Sequence, residues 1–341
     1  MEKLHIIDLL QQSIIRPAEL APANMISREE IEKLEGIRFS LINHDYPANA
    51  PRYWNAAYRE LLVGNFRYIM FVAQPEHLAV IMAAFKSDPR VIGGGAGSGF
   101  KDKIIHYVDE LDPAAEAIGS INVIRRENTG AWRGYNLDGV GYGRSLEEKF
   151  QERKETLAGK KVVIIGAGGT GGPIAFALAE MGMRVIVLNR TIEKAEQLQM
   201  RFNQYFGRDL IKAGGLDQVV KELIDADAVV STIDDKMSSL DAYSSLGTMG
   251  PQINLEENKK SAAEVLGRAK PTLIVSDVRL RDQKVEMLKQ AEELGFTTLD
   301  GKSMARNVAI EGFWLLHGKE LQAKNVTKGQ VAEVMKRAAS S

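Results

Sequence analysis

The chain has 341 residues, enough for two domains of ordinary size. A net charge of -1 gives no basic field to draw nucleic acid or an anionic membrane surface, and no apolar run reaches the ~20 residues that cross a bilayer. Cysteine is absent, which excludes disulfides, thiol catalysis and cysteine-bound zinc or iron–sulfur centres; the five histidines include no tight pair at ligand spacing, so no metal site is expected.

The N-terminus does not read as a signal peptide, because Asp8 interrupts its apolar stretch and no small-residue cleavage site follows. A soluble, cytoplasmic α/β protein is expected. Leu4, Ile7, Leu10 and Ile14 fall on one face of an amphipathic helix, and Ser27-Arg28-Glu29-Glu30 is a capping box opening another. From Ile37, short apolar strands alternate with helices: strands at 37–42 and 67–73, helices at 55–64 and 75–86. A hairpin with arms 121–126 and 131–136 turns at Glu127-Asn128-Thr129-Gly130. A charged helix at 147–157 leads into a second alternation, with strands opening at Lys161 and then at 183–190, 226–233, 272–278 and 296–300. The helical stretches between them suit right-handed crossovers and a parallel sheet covered on both faces. A last long helix spans 303–321.

The expected fold class is therefore α/β with two domains. Residues 1–36 read as a helical extension, 37–146 as a first α/β domain completed by the helix at 303–321, 147–302 as a Rossmann-type nucleotide domain, and 322–341 as a tail.

Two glycine-rich stretches invite a phosphate. In Gly94-Gly95-Ala96-Gly97-Ser98-Gly99-Phe100-Lys101 the resemblance to a P-loop fails, since Phe100 separates Gly99 from Lys101 and Asp102 stands where the magnesium-binding hydroxyl belongs. The glycine content of 93–99 instead suggests a mobile loop beside Lys101. The second stretch is stronger. Gly166, Ala167, Gly168, Gly169, Thr170 and Gly171 follow an apolar strand and open a helix in G-x-G-x-x-G spacing, which lets backbone and helix terminus approach a pyrophosphate. The next strand ends in Asn189, Arg190 and Thr191, with Lys194 four residues after Arg190. An NAD site would carry an acid here for the ribose hydroxyls; a guanidinium and an ammonium suit the 2′-phosphate of NADP, so NADP is the expected cofactor.

The segment from Phe100 to Gly141, with Lys101, Asn122 and the Asp138-Gly139-Val140-Gly141 run, resembles the substrate domain of the shikimate dehydrogenase family. Gly166 to Gly169, Asn189 to Ala195 and, more loosely, Asp300 to Gly318 resemble its nucleotide half. The resemblance covers roughly 37–320. It implies hydride transfer between NADP(H) and a ring carbon bearing a hydroxyl or keto group, with the site in a cleft between domains. Lys101 and Asp138 would be the catalytic pair, Lys101 donating to the reacting oxygen and Asp138 fixing it, with Asn122 bonding substrate hydroxyls.

Four positions depart from the family pattern. Ala48 and Ala50 stand where two serines hold the substrate carboxylate, Gly97-Ser98-Gly99 replaces a Thr-x-Pro run, Val308 replaces a substrate-binding glutamine, and Leu280 replaces a tyrosine. Arg52, Tyr53, Asn49 and Arg306 are candidate replacements for the serine hydroxyls. Shikimate and 3-dehydroshikimate are the leading pair; another small ring alcohol, or a non-catalytic NADP(H) sensor, are the alternatives. A transferase using S-adenosylmethionine is disfavoured, because Arg190 would serve no purpose in it. The expected partner is a small-molecule substrate, with no nucleic acid and no membrane, and a homodimer is the expected assembly.

Overall fold

Gly36–Ile42 is buried at every position, as a strand covered on both faces must be, and it is an interior strand of a seven-stranded sheet. The computed structural model describes residues 4–97, 99–233, 241–248, 253–281 and 283–340. The chain divides into two units, Met1–Leu137 with Ala305–Ser341, and Asp138–Met304.

In the first unit the strands are β1 (Ile15–Pro17), β2 (Gly36–Ile42), β3 (Phe66–Ala73), β4 (Val91–Gly95), β5 (Glu110–Leu111), β6 (Val123–Arg126) and β7 (Trp132–Tyr135), in the order β1-β3-β2-β4-β6-β7-β5. Its first helices are α1 (Ile6–Gln11), α2 (Arg28–Glu32), α3 (Ala50–Leu61), α4 (Leu78–Ser87) and α5 (Pro113–Ile118). β2 runs parallel to β3 and β4, while β6 and β7 form the expected antiparallel hairpin.

The N-terminal segment differs from the helical extension that periodicity suggests. α1 ends at Gln11, the chain turns through Ser13 at φ 56°, and β1 then pairs antiparallel with the edge of β3. Pro17 suits an edge strand, where it withholds no needed donor. Asn24 completes the join: its Nδ2 donates to the carbonyls of Ala18 and Met70, and its Oδ1 accepts from the Met70 N–H, at 2.8–2.9 Å.

The mobile loop expected over 93–99 is also corrected. Gly93, Gly94 and Gly95 lie in β4, with Gly94 against the Phe39 ring, 2.2 Å from where a Cβ would stand. At Gly93 and Gly95 a Cβ would meet the carbonyl oxygens of Ile124 and Asn122 at 2.5 Å. These glycines serve close packing. Ser98 lies outside the described residues.

The second unit contains α6 (Asp138–Glu152), β8 (Lys161–Ile165), α7 (Gly171–Glu180), β9 (Arg184–Leu188), α8 (Ile192–Phe206), β10 (Ile211–Gly214), α9 (Val219–Leu223), β11 (Ala228–Ser231), α10 (Leu255–Leu266), β12 (Ile274–Asp277), α11 (Glu286–Glu293) and β13 (Thr297–Leu299). All its strand pairs are parallel, in the order β10-β9-β8-β11-β12-β13, the doubly wound arrangement expected of a dinucleotide-binding sheet. The charged helix expected from residue 147 is α6, which starts nine residues earlier at Asp138.

α12 (Gly301–Ala323) and α13 (Lys328–Ser340) follow. Residues 322–341, read as a tail, are thus largely helical; Val331, Val334 and Met335 are buried in the cluster that also holds Tyr53, Trp54 and Tyr58 of α3. In α12, His317 is buried among the rings of Tyr58, Phe66 and Phe313, with Nε2 and the Tyr58 hydroxyl 3.3 Å apart. Desolvation pushes its pKa down to about 4 and pushes the Tyr58 phenol up. The folded protein thus holds His317 neutral where the unfolded chain, at a pKa near 6.5, takes up a proton. Stability from this residue is full above pH 6.5 and declines as pH falls toward 4, by about 3 kcal/mol in all. Urea unfolding across that range should show this component in the wild type and lack it in His317→Phe.

Candidate active site

The glycine turn between β8 and α7 is fixed by steric exclusion. Gly166 has φ +114°, and a Cβ on Gly171 would stand 2.1 Å from the Gly166 carbonyl oxygen. Neither position admits another residue without moving backbone. Thr232, just after β11, fastens the turn: its hydroxyl lies 3.1 Å and 3.2 Å from the carbonyl oxygens of Ile165 and Gly166, and donates to them. Motif reading missed Thr232, although a hydroxyl directly after the apolar Ala228–Ser231 strand was a signal for it.

Gly168 and Gly169 face open space, with nothing within 4 Å of a built Cβ, and the N–H groups of Gly168, Gly169 and Thr170 have no acceptor among the described residues. A helix start with free N–H groups and room beside it fits a pyrophosphate. Asn189 ties the end of β9 to this turn, its Oδ1 accepting from the Ala167 N–H and its Nδ2 donating to the Thr191 carbonyl. Its amide is therefore committed to holding the loop. Arg190, Thr191 and Lys194 beside it are exposed, and among the described residues no carboxylate pairs with Arg190 or Lys194. Two cations next to the turn suit a 2′-phosphate, and the residue directly after β9 is Asn189 in place of the acid that would hold an unmodified ribose.

Asp138 is the first residue of α6 and is buried. The next residue, Gly139, lies against α7 so closely that a Cβ would be 1.9 Å from the Pro173 carbonyl oxygen. That contact seats Asp138 beside the first turn of the helix whose N–H groups would face the phosphates.

In the first unit, Lys101 and Asn122 are joined through backbone. The Lys101 carbonyl accepts from the Ile121 N–H, the Asn122 carbonyl accepts from the Ala96 N–H, and the Asn122 N–H donates to the Tyr135 carbonyl, at 2.9–3.1 Å. Asn122 Oδ1 accepts from the Leu137 N–H at 2.8 Å, so the side chain anchors the residue immediately before Asp138. Gly99, at φ +82°, lies against the Asn43 amide and lets the chain turn toward Lys101, which is half-buried. Sequence order alone separates Lys101, Asn122 and Leu137 by tens of residues; β4, β6 and β7 bring them to one end of the sheet.

Ala48 is buried and Ala50 begins α3, so the turn before Pro51 offers methyl groups where hydroxyls were expected in the family pattern. Val308 lies half-buried on α12, and Leu280 is 37% exposed beyond β12. Arg279 beside it is forked onto Asp277 and reaches Asp241 at 3.1 Å.

A doubly wound parallel sheet with a glycine turn, free helix N–H groups and two adjacent cations defines a dinucleotide-binding unit. The pattern matches two family descriptions, a shikimate dehydrogenase substrate binding domain over residues 46–124 and a shikimate / quinate 5-dehydrogenase over residues 148–243. The NADP(+) shikimate dehydrogenase of Methanopyrus kandleri is 31% identical over 280 residues, covering 80% of this chain and 86% of the relative. That of Methanocaldococcus jannaschii is 30% identical over 276 residues, with 80% and 86% covered. The crystal structure of shikimate 5-dehydrogenase from Listeria monocytogenes, in complex with shikimate and NAD, superposes with a TM-score of 0.69 at 25% identity, covering 91% of this chain and 98% of that one. The chain belongs to the shikimate dehydrogenase family.

Replacing Arg190 with Gln should weaken NADPH binding by about ten- to a hundredfold, the loss of a charge-assisted contact, and leave NADH binding unchanged. Fluorescence titration with both nucleotides measures this directly.

Proposed function

We propose that the protein is an NADP-dependent oxidoreductase that interconverts an alcohol and a ketone on a small polar ring, with shikimate and 3-dehydroshikimate as the pair. The observation that carries this reading is the backbone ladder that sets Lys101 and Asn122 at one sheet end and anchors the residue preceding Asp138. It occurs in the same chain as a glycine turn flanked by Arg190 and Lys194.

NADP, when bound, supplies the hydride acceptor and, in its reduced form, the donor. Gly166 to Gly171 would hold its pyrophosphate, with Arg190 and Lys194 on the 2′-phosphate. Lys101 takes the proton from the substrate hydroxyl as the carbon–hydrogen bond breaks, and returns it in the reverse direction. Asp138 would be the carboxylate of the catalytic pair, the role that the family resemblance implies for it. Asn122, whose Oδ1 accepts from the Leu137 N–H, would bond a substrate hydroxyl, as the family resemblance implies. A sensor without turnover would have no use for a lysine and a carboxylate in these places. The same reading makes the protein a cytoplasmic enzyme with small-molecule partners, working as a homodimer. Among the described residues no helix is long and apolar enough to cross a membrane.

Ala48, Ala50 and Val308 favour one variant of this reading, in which the same reaction runs on a ring alcohol held by different groups. Initial rates of NADPH formation with shikimate, beside quinate and beside NAD, separate the two. Lys101→Ala should lower kcat by about 10²–10⁴-fold while NADPH affinity stays within twofold of wild type, roughly the contribution of one positioned acid/base group. Unchanged turnover in this variant would remove Lys101 from the mechanism.

A further inference from the structure

Arg38 sits on β2, an interior strand of the first unit's sheet, and is only 3% exposed. Its guanidinium carbon is 3.8 Å from the centre of the Trp54 ring and 5.0 Å from that of Tyr68. Trp54 itself stacks on Tyr68 and tilts against Phe313. Nε has no hydrogen-bond partner, and no carboxylate contributes to the environment of the charge. Its ionisable neighbours are Tyr58 and Tyr68, and His317, which is neutral in the folded protein. A buried guanidinium set among aromatic faces and the Tyr68 hydroxyl, with no carboxylate partner among the described residues, is strongly unfavourable for folding, since these contacts offset only part of the lost hydration. Arg279 shows the usual arrangement in this same chain: equally buried, it is forked onto Asp277 and reaches Asp241.

The position of the charge explains why it is kept. Arg38 pairs with Gly93 across the sheet, and its side chain runs toward Gly95 through space that the two glycines leave open. Nη2 lies 3.5 Å from where a Cβ on Gly95 would stand, and the Asn122 carbonyl oxygen lies 2.5 Å from the same point. The cation is therefore directly beneath the backbone that carries Asn122. The Trp54 ring above it is four residues beyond Ala50 on α3, hence on the same helix face. It also lies 3.0 Å from the Cβ position of Gly312, which is four residues beyond Val308 on α12. Ala50 thus shares a helix face with Trp54, which covers the buried charge, and Val308 shares one with Gly312, which Trp54 touches.

We infer that Arg38 is the specificity-determining residue for an anionic substrate: its charge, without a carboxylate partner among the described residues, favours a carboxylate over the site floor where Ala48, Ala50 and Val308 offer no donor side chain. This rests on Lys101 and Asn122 marking the substrate site. It acts through its field, and a full charge near a binding site changes anion affinity by about ten- to a hundredfold.

The test uses shikimate and its uncharged methyl ester with the full-length protein. In the wild type, KM for shikimate should be at least tenfold below that for the ester. Arg38→Met should raise KM for shikimate about ten- to a hundredfold, leaving KM for the ester and both kcat values within threefold, and Arg38→Lys should restore most of the preference. A wild type that treats acid and ester alike overturns the inference even if Arg38→Met fails to fold, as does a variant that weakens both equally. If the ester is turned over and the acid is not, the inference fails while the reaction assignment stands. If neither is turned over, the shikimate assignment fails, and calorimetric binding of shikimate decides the inference: binding by wild type that is lost in Arg38→Met supports it, and no binding by wild type overturns it.

Discussion

The hydrogen bonds at Asn122 are the constraint on which the first unit's site depends. Its carbonyl closes on Ala96, its N–H on Tyr135 and its side-chain oxygen on Leu137, while its neighbour Ile121 holds the Lys101 carbonyl. Each is of ordinary strength, about 1 kcal/mol net. Their effect is geometric: a loop bearing a lysine, a strand bearing an amide and the segment leading to an aspartate lose their independence. Replacing Asn122 would free the Leu137 N–H from its partner.

A parallel device operates in the second unit, where excluded volume does the positioning. Gly171 against the Gly166 carbonyl, Gly139 against the Pro173 carbonyl and the Thr232 hydroxyl across the turn leave no space for a methyl group. The close approach leaves the N–H groups at the start of α7 directed to the open side, where Gly168 and Gly169 meet nothing. A phosphate site made from backbone needs no side chain of its own, so its specificity rests with the residues at the end of β9.

Against the family pattern that the sequence resembles, Lys101, Asn122 and Asp138 match the proposed reaction machinery, and Ala48, Ala50 and Val308 depart from the groups expected to hold the substrate. The alanines at 48 and 50 are not accidents of a loose loop; Ala48 is buried, and the helix that follows carries Trp54 onto the buried guanidinium of Arg38. A pair of hydroxyls recognises a carboxylate by short directional bonds, whereas a buried charge recognises it by potential. The second is less demanding of geometry, and it discriminates anion from neutral better than one anion from another.

The sequence by itself determined the two-unit α/β character and the glycine turn with Arg190 in place of an acid, and it supplied the motif that makes Lys101, Asn122 and Asp138 the candidates for the chemistry. Each is written in local pattern: period-two apolar runs, a fixed glycine spacing, a motif without gaps. Tertiary structure decided what local pattern cannot carry. The glycines at 93–95 look like a loop in sequence but are strand, because Phe39 and the carbonyls of Ile124 and Asn122 fill the space of their side chains. The first helix stops at Gln11, since β1 finds the open edge of β3, a partner more than fifty residues away. Arg38 reads in sequence as one polar residue alternating along a strand. Only the assembly of α3, β3 and β4 around it shows a buried charge with no carboxylate partner among the described residues, because pairing and burial are properties of neighbours that the sequence places far apart.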